Sequence, residues 1–170
     1  MVVSLFVENV LNSVTNQVTY DSETGGRTTM PVNLNGNWRA SGALSLSGPF
    51  KNRNWLFRTY SYLQYRNQNG YTTQNKEEPM KSSVQHLTAR ERLQFTFRTR
   101  QLELSARGEV LYNNSYNNVK DMRTETFDYQ LGGDLQYYLP WGFECSSDLT
   151  YFLRTGYGYD SSCLLYTSDA

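Results

Sequence analysis

Apolar and polar residues alternate with a period of two along much of this chain. That is the repeat of a strand whose successive side chains face opposite ways. Residues 102–112 place Leu102, Leu104, Ala106, Gly108, Val110 and Tyr112 on one face, with Glu103, Ser105, Arg107 and Glu109 on the other and Leu111 as the exception. Residues 129–139 repeat the pattern with Tyr129, Leu131, Gly133, Leu135, Tyr137 and Leu139, and residues 143–153 do so with Phe143, Cys145, Ser147, Leu149, Tyr151 and Leu153. Weaker alternations run through 38–50 (including Leu44 and Leu46), 55–65 and 87–97, where Glu91 breaks the apolar side. Segment 2–20 is β-rich with an ambiguous register. No stretch carries a helical period, so the pattern predicts an all-β chain.

The clearest alternations persist for about 11 residues, twice the roughly 5–6 of a soluble strand and equal to the roughly 9–11 that a tilted strand needs to cross a bilayer. The connections are sorted by length. Short links at 51–54, 98–101 and 140–142 alternate with long polar ones at 20–37, 66–85 and 113–127. Strands that run up and down then gather every short turn at one end and every long loop at the other, the layout of an outer-membrane barrel. Rings collect at the short turns: Phe50 and Trp55, then Phe97, then Tyr137, Tyr138, Trp141 and Phe143. Amphipathic rings favour the boundary between hydrocarbon and headgroups. Trp38, Tyr65, Tyr112, Tyr129 and Tyr157 suit a second belt at the far end.

The expected architecture is therefore an all-β, antiparallel up-and-down transmembrane β-barrel, present here as a partial barrel of about seven long strands. The aromatic girdle would comprise Phe50, Trp55, Phe97, Tyr137, Trp141 and Phe143. Lipid would meet Leu44, Leu46, Leu102, Leu104, Val110, Leu131, Leu135, Leu149 and Tyr151. In the crowded stretch "YYLPWGF", Pro140 ends the ladder where a missing N–H is harmless, and Gly142 permits the reversal.

Composition narrows the partners. Tyr occurs 14 times, aromatics reach 15%, charged residues only 19%, and the net charge is zero. A neutral chain without a basic stripe in its sequence argues against a nucleic-acid partner. Mean hydropathy is −0.65, and no run of 18 apolar residues supports a membrane-spanning helix. The start, "MVVSLFVENV", has no basic leader and is interrupted at Glu8, so it does not read as a signal peptide. Little in the chain suggests covalent chemistry. His86 is the sole histidine, Glu77 and Glu78 read as a solvated loop pair, and Cys145 and Cys163 lack metal-site spacing. No enzyme activity, metal or cofactor is expected.

The stretches "TYDSETGGRTTMPVNLNGNWRASGALSLSGPFKNRNW" and "DYQLGGDLQYYLPWGFECSSDLTYFLRTGYGYD" resemble the barrel portion of TonB-dependent outer-membrane receptors, particularly those of Bacteroidota. The resemblance spans nearly all of 1–160. It implies a 22-stranded barrel around a plug domain, driven by the TonB system, that imports a large or scarce ligand such as a glycan or siderophore. The plug, the TonB box, the remaining strands and the family's terminal aromatic residue have no counterpart here, so the expectation is a barrel fragment. Residues 161–170, "SSCLLYTSDA", depart from the pattern and resemble read-through of a sequencing adapter. Partners implied are outer-membrane lipid, the plug of the same full-length chain and the TonB system. Tyr71, Tyr116 and Tyr157 in the external loops are the candidates for stacking on a ligand. The competing expectation is a soluble or surface-attached β-sandwich that binds glycans.

Overall fold

The computed structural model describes residues 1–20, 23–49, 53–72, 79–119, 121–158 and 161–169; within the last segment, side chains are described at Ser162, Cys163 and Leu165. Ten strands account for the described elements: β1 Val2–Val10, β2 Ser13–Tyr20, β3 Arg27–Leu34, β4 Asn37–Pro49, β5 Trp55–Thr72, β6 Met80–Arg98, β7 Leu102–Asn117, β8 Met122–Tyr138, β9 Glu144–Thr155 and β10 Ser161–Asp169. Eight form one sheet in the order β1-β4-β5-β6-β7-β8-β9-β10, and every neighbouring pair is antiparallel. Strands β2 and β3 form a separate two-stranded hairpin between β1 and β4. The sheet is open, with β1 and β10 at its edges.

Two expectations change. The polar links at 66–85 and 113–127 are largely strand, because the ladder continues to the Thr72–Met80 pair and the Asn117–Met122 pair. Both faces are polar there, so hydrophobic alternation ends while the backbone pairing does not. Segment 20–37 likewise contains β3 rather than a loop. Residues 161–169 pair with β9 across its length as β10 and so extend the sheet.

The short turns at 98–101 and 140–142 form as expected, and the link at 51–54 lies partly outside the described residues. At the β8–β9 reversal the Leu139 N–H donates to Phe143 O (2.8 Å) and the Gly142 N–H to Leu139 O (3.3 Å). Gly142 has φ +83°, so a turn followed by a left-handed glycine closes the hairpin as three-residue loops commonly do.

Burial is inverted relative to a water-soluble domain. Among the described residues the only buried hydrophobic side chain is Leu34, at 6% exposure. The other buried residues are Thr59, Ser82, Thr96, Ser105, Thr126 and Thr150. Leu131 is 62% exposed, and Leu5, Leu63, Leu104, Phe95 and Leu149 are exposed with it. Among the described residues no second layer packs on the apolar face, so the large side chains that would make a core stay exposed.

Candidate functional site

Strand register assigns every side chain of the sheet to one of two faces, since paired residues point the same way. One face is apolar. It carries Leu44, Leu46, Leu102, Leu104, Val110, Leu131, Leu135, Leu149 and Tyr151, all nine positions expected to meet lipid. Trp55, Phe97 and Tyr137 share this face, and Trp55 packs on Phe97 at 4.8 Å between ring centroids. Phe57 and Phe95 form the next pair up, at 5.3 Å. Trp141 and Phe143 lie in the β8–β9 turn, with Trp141 89% exposed. Phe50 lies outside the described residues.

A second row of rings crosses the same face: Trp38 against Tyr65 at 5.1 Å, and Tyr112 against Phe127 at 4.7 Å. Phe127 also stacks on Tyr129. Trp55 and Tyr65 are ten positions apart on β5, as are Phe127 and Tyr137 on β8. Ten residues at about 3.3 Å rise give about 33 Å along a strand, or about 23 Å of height at a 45° tilt. The apolar band of an outer-membrane barrel is about 25 Å tall.

The upper row also slants against the hydrogen-bond register. Trp38 on β4 pairs with Asn67 of β5, whereas Tyr112 on β7 traces through Ala89 to Leu63 of β5. The row thus drops four residues, about 13 Å, across three strand spacings of about 4.8 Å each, a slope of about 40°. Strands tilted 35–45° to a barrel axis give a horizontal ring belt that slope. Between the two rows, Glu91 is the only charged side chain on this face among the described residues, and its Oε1 accepts a hydrogen bond from Thr59 Oγ1 at 2.7 Å.

The opposite face is polar and cross-linked. Arg107 on β7 reaches over β8 to β9: Nη1 donates to both oxygens of Asp134 (2.8 Å each), and Nη2 donates to Asp148 Oδ2 (2.8 Å) and Thr150 Oγ1 (3.0 Å). Gly132 makes this crossing possible, because a Cβ there would lie 2.6 Å from Arg107 Nε. Ser105 Oγ adds a bond to Asp134 at 2.7 Å. Periodicity pointed to the polar side of β7–β9, but only the register reveals that one guanidinium ties three strands.

At the end opposite the short turns, an asparagine cluster holds the β2–β3 hairpin. The Asn12 N–H donates to Asn35 Oδ1 (2.6 Å), Asn69 Nδ2 to Asn35 O (3.0 Å), Asn67 Nδ2 to Gly36 O (2.8 Å), and the Asn69 N–H to Asn37 Oδ1 (2.6 Å). Gly36 has φ +94°, and a Cβ there would sit 2.6 Å from Asn69 Nδ2. The "NLNGNW" stretch is therefore a joint, a role that alternation could not signal.

The three candidate ligand tyrosines do not converge. Tyr71 lies near the end of β5 and Tyr116 near the end of β7, in strands rather than loops, while Tyr157 follows β9. Tyr116 donates to Asp121 Oδ1 (3.1 Å), which holds its phenol above the usual tyrosine range. Tyr157 donates to Asp128 Oδ2 (3.1 Å). Among the described residues no group of three or more His, Cys, Asp or Glu side chains is placed to hold a metal ion. No helix among them is long and apolar enough to cross a membrane. No protein-family model matches the chain, and comparison with curated proteins finds no match.

Proposed function

We propose that this chain is part of the wall of an outer-membrane β-barrel of the TonB-dependent importer type, which passes a large or scarce ligand and performs no covalent chemistry. The observation that carries the proposal is the apolar face: exposed aliphatic side chains bounded by two rows of rings about one hydrocarbon thickness apart, the upper of them slanted as a tilted strand requires. Water offers no reason for such an arrangement, since a sheet of this size would bury its apolar face under a second layer. A sandwich would require that layer. Lipid replaces it.

In this proposal the polar face lines the interior, where a plug domain of the full-length chain would sit, and the open edges at β1 and β10 continue into further strands. The importer class and the coupling to TonB rest on the sequence resemblance, and the membrane setting rests on the geometry.

The three tryptophans test the setting directly. Trp38 and Trp55 stand in opposite ring rows, and Trp141 sits in the turn below the lower one. Reconstituted into bilayers with brominated lipids, their fluorescence should be quenched most by bromine near the headgroups and least by bromine at the chain ends. Strongest quenching at the bilayer centre, or none, would refute the proposal.

A further inference from the structure

The charges on the polar face are segregated by strand. On β4, β5 and β6 this face carries Arg39, Arg58, Arg66, Arg90, Arg92 and Arg98 and not one carboxylate. On β7, β8 and β9 it carries Glu103, Glu109, Asp128, Asp134, Glu144 and Asp148 against only Arg107 and Arg154. The chain is neutral as a whole, so the two signs cancel in composition and separate only in space.

Flanking strands satisfy part of the arginine strip. Glu8 meets Arg39 (2.9 Å), Glu109 meets Arg92 (2.7 Å) and Arg90 (3.2 Å), and Glu103 meets Arg98 (2.7 Å). Six guanidiniums against three carboxylates leave three positive charges over. They belong to Arg58, to Arg66, whose bond is to neutral Gln68, and to the Arg90–Arg92 pair that shares one glutamate. Arg66 also stands directly opposite Arg39 across the β4–β5 ladder, a like-charge pairing that destabilises a sheet. Arg58 has no partner among the described residues, and its cross-strand neighbours Ser47 and Gln94 are uncharged.

From this we infer that the strip is a binding track for a small polyanion, a ligand bearing at least two phosphate, sulfate or carboxylate groups. The inference rests on the polar face being the interior wall. Guanidiniums suit such groups because their planar fork donates two parallel hydrogen bonds. Arg90 and Arg92, two residues apart on one strand, begin about 7 Å from each other, and Arg58 begins about 8 Å from Arg92 by strand spacing. Side chains of that length reach anionic groups only a few ångströms apart. Tyr60 and Tyr62 lie between them on the same face, opposite Arg92 and Arg90, and add phenolic donors. At the lower end of the track Ser47, Arg58, Gln94, Thr96 and Arg98 line a hollow of about 350 Å³, the size of a small-ligand site; its one carboxylate, Glu103, is engaged by Arg98.

The test uses the full-length protein that completes this wall, refolded in zwitterionic detergent micelles, with folding checked separately by heat-modifiable gel mobility. Inorganic tripolyphosphate is titrated by calorimetry. Binding is expected to weaken as salt rises, to fall at least about tenfold in Arg58→Gln and in Arg92→Gln, and to be unchanged in Arg154→Gln on the acidic half. Arg58 is exposed and unpartnered, so its variant should fold like the parent. A folded protein that does not bind, variants that all bind alike, or tighter binding of spermine would overturn the inference alone. Failure of the full-length protein to fold as a barrel in micelles would refute the interior-wall assignment and this inference with it.

Discussion

Replacing Leu131 by arginine separates lipid from water as the medium of the apolar face. Leu131 sits on β8 four residues from Phe127 in the upper ring row and six from Tyr137 in the lower. With a rise of about 3.3 Å per residue and a 45° tilt, it lies about 9 Å below one row and about 14 Å above the other, close to mid-height. Its side chain is 62% exposed, so arginine meets no steric obstacle. In water such a surface change stays within about 0.5 kcal/mol. At the midplane of a bilayer it costs about 2–4 kcal/mol, which lowers the folded-to-unfolded ratio roughly 30- to 800-fold. Gln130→Arg is the matched control, one residue away on the polar face and directly opposite Glu109, where a new cation stays hydrated. Urea titrations of both variants in lipid vesicles, read by heat-modifiable mobility, should show a large loss for Leu131→Arg and a loss below about 1 kcal/mol for Gln130→Arg. Equal tolerance of the two, or the reverse order, would mean that the face assignment is wrong.

Two further substitutions probe particular contacts. In Gly156→Ala the new Cβ would lie 2.1 Å from the backbone oxygen of Glu125 at a residue with φ +84°, whereas Gly158, with φ +85°, has nothing within 4 Å. Gly158→Ala should therefore cost only the left-handed backbone penalty of about 1–2 kcal/mol, and Gly156→Ala more. Amide exchange across the paired ends of β8 and β9 should rise in Gly156→Ala alone, and identical exchange in the two variants would contradict the close approach. Glu91→Leu removes the lone carboxyl between the ring rows together with its bond from Thr59. A carboxylate on the lipid face costs less than the 2–4 kcal/mol of a basic side chain, and the lost bond offsets about 1 kcal/mol, so the urea midpoint in vesicles should rise modestly. A lowered midpoint would make the Thr59–Glu91 contact a net support of the fold.

Alternation made β7, β8 and β9 legible, because their inward and outward residues differ in polarity at nearly every step. It placed all nine candidate lipid-facing residues on one face without knowledge of pairing. It failed where both faces are polar: after Tyr112 the run Asn113, Asn114 and Ser115 has no period, yet β7 continues to Asn117 because backbone pairing does not depend on side-chain polarity. The β2–β3 hairpin escaped for the same reason. The arginine strip was hidden differently. Arg58 and Arg92 are far apart in sequence, one set among neutral residues and the other beside a glutamate, and only the register of β5 and β6 brings them onto one face at neighbouring positions.

The strand order has a consequence for how such a sheet is put together. From β4 to β10 each strand pairs with its successor in sequence, so every step of growth closes a local hairpin, and contacts of low sequence separation form quickly. The β1–β4 pairing is the one exception, spanning residues 11–36. There the asparagine joint changes the kinetics: once β2 and β3 have zipped, Asn12 and Asn35 are already in contact, and the intervening segment no longer has to be searched as open chain. A non-local pairing is thereby reduced to a local one, and the whole sheet can assemble by successive neighbours. A slow phase in refolding that Asn35→Ala lengthens would mark that joint as the step that admits β1.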